Sequence, residues 1–195
     1  MNYAEDCEKQ IAVWFKDHVA RLDRYNFFNG AVHIEFLEWK KPGTGIYKVN
    51  YFLNCTTGDL LITGDMGSAV YKYYTYKTFN DIASDYLSYF QSKCVASENG
   101  RENKVWDSDI ATDKMFEYLA EDDAAITKEE FKNSDYSDNM RTHHEWCEWV
   151  YNGELSDKLI DHYEHLCDIG LVDDNRAIAY LIGIKMAVKQ LEEKA

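Results

Sequence analysis

No run of about 18 apolar residues occurs in this 195-residue chain, so no stretch is long enough to cross a bilayer as a helix. CxxC is also missing. The five cysteines, Cys7, Cys55, Cys94, Cys147 and Cys167, are odd in number and widely spaced. That pattern argues against a disulfide framework and for free thiols in a reducing compartment. Met1 to Asp6 has no basic segment and no apolar segment after it, so it does not read as a secretory signal. The expected location is the cytoplasm.

Signatures of chemistry are equally scarce. There is no GxSxG, no HExxH, no GxxxxGK[ST] and no GxGxxG. Gly64-Asp65-Met66-Gly67 reads as a hairpin turn rather than a phosphate cradle. Carboxylates are too dense for any chosen pair to mark a glycosidase. The best metal-type spacings are His143 with Cys147, four apart, and His162-x-x-His165-x-Cys167. They match neither a zinc hydrolase nor a zinc finger, so core cysteines and wet-edge histidines are the expected roles. The sequence therefore points to a protein that is not an enzyme, with no cofactor and no metal.

What is present begins with alternation. Residues 31–76 read as an antiparallel meander of four strands, around 32–36, 46–55, 59–63 and 69–76. Tyr47, Val49, Tyr51 and Leu53 share one face, and glycine-bearing turns at 41–45, 56–58 and 64–68 separate the runs. Ahead of the sheet, Ile11, Trp14, Phe15, His18, Val19 and Leu22 recur at helical spacing, so one amphipathic helix is expected over 3–24. A second helix is expected from Thr78 to Cys94, then a polar loop over 95–107. From Ser108 the periodicity is helical to the end. The expected fold class is α+β: an N-terminal helix on a four-stranded antiparallel sheet (1–107), followed by an acidic helical lobe (108–195).

Charge is uneven. Residues 1–78 hold nine Lys/Arg and nine Asp/Glu, whereas residues 107–174 hold five against twenty. Such a surface repels nucleic acid and attracts a basic protein face. Glu121, Asp122, Asp123, Glu129, Glu130, Asp135 and Asp138 cluster around two expected breaks. Glu145 and Glu148 flank Trp146 and Trp149, which read as exposed. These nine carboxylates are the expected partner-binding residues. Tyr71, Tyr73, Tyr74 and Tyr76 form a competing aromatic candidate.

Gly64-Asp65-Met66-Gly67-Ser68-Ala69-Val70-Tyr71, then Tyr89 to Arg101 and Trp106-Asp107, resemble small uncharacterised phage and prophage proteins over residues 1–107. In type, a small acidic phage protein is similar to anti-CRISPR inhibitors. The phage group itself has no settled activity to carry over. Likeness of type, together with the acidic helices, sets the expectation of an inhibitor in the host cytoplasm that acts on a defence nuclease, Cas9 first, by placing those helices on a basic nucleic-acid-binding surface. The alternative expectation is a phage adaptor or assembly protein that binds through an aromatic sheet face.

Overall fold

The computed structural model describes residues 3–98, 104–121, 127–133, 140–153 and 155–194. The chain divides into two compact units, Met1–Asn103 with Asp173–Ala195, and Lys104–Val172.

The first unit is α+β. Its sheet has six strands in sequential antiparallel order: β1 (Val19–Phe27), β2 (Val32–Lys40), β3 (Val49–Asn54), β4 (Asp59–Gly64), β5 (Ala69–Lys72) and β6 (Cys94–Ser97). Helix α1 (Tyr3–Trp14) precedes it, α2 (Phe79–Ala83) and α3 (Leu87–Ser92) lie between β5 and β6, and α9 (Asn175–Glu192) closes the chain.

Five expectations change here. The sheet has six strands, not four. Residues 19–27 are an edge strand rather than the end of a helix. Ala20 and Leu22 pair with Trp39 and Leu37 on the inner face, while Val19 is exposed on the other, so the Val19–Leu22 spacing that suggested a helix is not what packs inward. Cys94–Ser97 pairs with β5 rather than joining a loop. The helix expected over 78–94 is broken after Ala83, at Ser84–Tyr86. Fifth, α9 belongs with the sheet, whereas the expected domain boundary at 107/108 put it in the helical lobe.

Alternation sets what is buried. Leu37, Trp39, Val49, Tyr51, Leu53, Leu60, Ile62, Ala69 and Tyr71 point to one face and pack with Ile11, Phe15, Phe79, Ile82, Phe90 and the inner side of α9. Each buried Leu or Ile of α9 contributes roughly 1.5–3 kcal/mol. Side-chain polar groups then fix the helix on the sheet. Gln190 accepts from the Ala20 amide at 2.8 Å and donates to the His18 carbonyl at 3.1 Å, so it substitutes for a strand beside β1. The Tyr51 hydroxyl donates to the Tyr180 carbonyl, and the Tyr180 hydroxyl donates to the Met66 carbonyl.

The second unit is helical with one strand pair, β7 (Lys104–Trp106) and β8 (Leu171–Asp173). Its described helices are α4 (Ser108–Glu121), α5 (Lys128–Asn133), α6 (His143–Asn152), α7 (Ser156–Leu159) and α8 (Tyr163–Leu166). Ala111, Met115, Leu119, Phe131, Met140, Trp146, Trp149, Val150, Leu159 and Leu166 form a core of its own. Trp146 and Trp149 are therefore buried, not exposed, and His144 and Tyr151 face outward instead. The tryptophan side of α6 meets Trp106 and Phe131, and Thr142 caps the start of the helix through a box with Glu145.

Candidate functional site

Eighteen Asp/Glu against six Lys/Arg give the second unit a net −12, while the first unit carries −2. The nine carboxylates expected to make the contact have different fates. Asp122, Asp123, Asp135 and Asp138 lie outside the described residues, as does the side chain of Glu121, the last residue of α4.

Glu130 and Glu145 serve the backbone. Glu130 Oε2 accepts from the Thr127 amide at 2.8 Å while Thr127 Oγ1 accepts from the Glu130 amide, and Lys158 donates to Oε1. The Lys158 ammonium, followed by Thr127, holds the Glu130 carboxyl down at about 2. Glu145 closes the same motif with Thr142 at 2.9 Å. A capping carboxylate is committed to its helix start and has less to offer a partner. Glu129 and Glu148 are exposed, the latter with His144 Nε2 at 3.6 Å.

A feature the sequence reading missed lies on α4. Asp109, Asp113 and Glu117 are all exposed and spaced four apart, and Ala111, Met115 and Leu119 fill the buried side of the same helix. Like charges at this spacing stand about 5–6 Å apart and cost the helix roughly 0.2–0.5 kcal/mol per pair. The i, i+4, i+8 spacing of acids was legible in the sequence. Asp157, Asp161 and Asp168 are exposed as well.

The aromatic candidate moves. Tyr71 and Tyr73 are core residues, and burial pushes both phenols well up. Only Tyr74 and Tyr76 are exposed. The outer sheet face instead carries a row formed by strand register: Phe36, Phe52, Leu61, Val70 and Ala96 stand opposite one another across β2 to β6. Phe36 and Phe52 rings lie 4.7 Å apart, and Phe52 and Leu61 are each 42% exposed. Tyr25, Phe27, Val32 and Ile34 extend this face on β1 and β2.

Two clusters of ligand-type side chains form. In the second unit His143 Nε2 lies 2.9 Å from Asp168 Oδ1, 3.0 Å from the Cys167 carbonyl and 3.4 Å from Cys147 Sγ. Burial, then the neighbouring Cys167, pushes the Cys147 thiol up to about 12. His143 and Cys147 thus meet as their spacing suggested. His162 and His165 do not join Cys167; both pack on the Tyr118 ring.

In the first unit His33, Glu35 and Cys55 come together, with one ligand atom from each lying within 4.8 Å of the others. Alternation puts His33 and Glu35 on the inner face of β2, and the Cys55 amide donates to the His33 carbonyl just past the end of β3. Glu35 is buried, taking Arg24 Nε at 2.9 Å and the Phe79 amide at 3.1 Å. Burial, then the Glu35 charge, pushes the Cys55 thiol up to about 12. No local motif announces this trio, because Glu35 and Cys55 are 20 positions apart and only the pairing of β2 with β3 joins them.

Among the described residues no helix is long and apolar enough to cross a membrane. No family model, curated protein or solved structure matches the chain.

Proposed function

We propose that this chain acts by binding a basic protein surface rather than by catalysis, and that the second unit supplies the contact. The exposed Asp109–Asp113–Glu117 line on a unit of net −12 carries this reading. Carboxylates held on a helix at such spacing can stand in for a short run of phosphates, which occur about every 1.7 Å along duplex DNA. A basic groove built for nucleic acid is the matching partner chemistry. A host defence nuclease of the Cas9 type is the first to test, which would make the chain a phage-encoded inhibitor. The lines of self-repelling charge are easier to account for when a basic partner relieves them.

A second reading has its own observation. The Phe36–Phe52–Leu61–Val70 row is an apolar strip on the outer face of the sheet, and an adaptor would dock there.

Capture on the immobilised chain from a bacterial lysate, washed at low and at high salt, separates them. The charge reading expects a basic nucleic-acid-binding protein that elutes as salt rises. A captured protein that withstands high salt and is lost from a Phe52→Lys/Leu61→Lys variant would overturn it in favour of the sheet.

A further inference from the structure

We propose that His33, Glu35 and Cys55 form a divalent-metal site, with zinc the fitting ion. The donor set is one imidazole nitrogen, one carboxylate oxygen and one sulfur, the three ligand types zinc takes. Their atoms already lie within 4.8 Å of one another, so small side-chain movements bring them to bonding distance around one ion. Three protein ligands leave the fourth tetrahedral position open.

The surroundings suit an ion. Glu35 uses one lone pair of each oxygen for Arg24 and for the Phe79 amide, and a carboxylate has about four such positions, so capacity for a metal remains. Those two donors also fix the carboxylate. The Tyr76 hydroxyl lies 3.3 Å from His33 Nδ1 and fixes the ring, as outer partners of metal-bound histidines do. Cys55 and Glu35 are buried while His33 is only half-buried and Tyr76 exposed, which gives an entry side. Carboxylate and thiolate supply two negative charges for a divalent ion, and the Arg24 guanidinium on Glu35 adds one positive charge on the solvent side. Binding replaces the Cys55 S–H proton with the metal and releases that proton to solvent. The site lies in the sheet unit and does not depend on the acidic face.

Cobalt(II) reports on such a site directly. The full chain is stripped with a chelator, checked for fold by circular dichroism, and titrated with cobalt(II). One equivalent is expected to give intense tetrahedral visible bands and a thiolate-to-cobalt charge-transfer band, both displaced by zinc. Cys55→Ser should remove the charge-transfer band, and His33→Gln should weaken cobalt binding at least about tenfold. Cys147→Ser should leave both signals unchanged. Absence of the bands in the folded parent overturns the proposal. So does a charge-transfer band that survives Cys55→Ser and disappears in Cys147→Ser, which would put the ion in the second unit.

Discussion

Gly183 of α9 sits directly against the Tyr51 hydroxyl, so that a methyl group at 183 would overlap that oxygen and press on Trp39. The missing side chain is what lets α9 lie close enough for Tyr51 to reach the Tyr180 carbonyl at 3.1 Å. Alanine normally favours a helix interior over glycine by about 1 kcal/mol. Here Gly183→Ala is expected to destabilise the chain by about 1–3 kcal/mol through overpacking. Chemical denaturation checks this. Adding Tyr51→Phe should recover part of the loss, because the two positions share one contact. A stabilised Gly183→Ala variant would refute the close packing.

Trp146 is fully buried and its indole N–H donates to the Leu166 carbonyl at 2.7 Å. Trp146→Phe leaves that carbonyl without its donor and a gap beside Trp106 and Trp149. A loss of about 1–3 kcal/mol is expected from the unpaired group alone. Near-ultraviolet circular dichroism during unfolding reads it. A change below about 0.5 kcal/mol would be the response of a surface position.

His18 is buried between Phe15 and Trp39, with Nε2 at 3.2 Å from the Tyr47 carbonyl. Burial lowers its pKa below the ordinary 6.5, against the opposing pull of the Tyr47 carbonyl. The unfolded chain therefore takes up this proton first as pH falls. The stabilising contribution is complete above 6.5 and declines as pH drops from there towards the folded value. Denaturation midpoints at successive pH values below neutrality should fall in the parent, and part of that slope should vanish in His18→Phe. An unchanged slope in His18→Phe would show that other groups produce it.

Strands β2 to β5 were legible from β-rich runs separated by glycine-bearing turns, but not the buried face of β2, where Val32, Ile34 and Phe36 lie on the outer side and Glu35 on the inner. β1 was not, since Val19 and Leu22 satisfy helical spacing and only the pairing of Ala20 with Trp39 and of Leu22 with Leu37 makes it a strand. The place of α9 was likewise invisible: its apolar stripe says that it packs, and nothing local says on what. The Thr-x-x-Asp/Glu spacings at Thr78, Thr127 and Thr142 all mark helix starts. The burial of Trp146 and Trp149 is not local information: it is decided by the residues of other helices that pack on that side of α6. Of the candidate contact residues, the sequence showed where acid accumulates. The Thr127 spacing already placed Glu130 in a capping box; that Lys158 also reaches Glu130 across 28 positions depends on the tertiary fold.

The central claim is that the Asp109–Asp113–Glu117 line meets a basic partner. Its most direct measurement is the association rate of the chain with its captured partner over a salt series, for the parent and for Asp109→Ser/Asp113→Gln/Glu117→Gln. Contact through this line makes association of the variant at least about tenfold slower at low salt, with a flatter salt dependence and an unchanged fold. Removing the like-charge pairs should also raise stability by a few tenths of a kcal/mol. An association rate and salt slope equal to the parent's would contradict it.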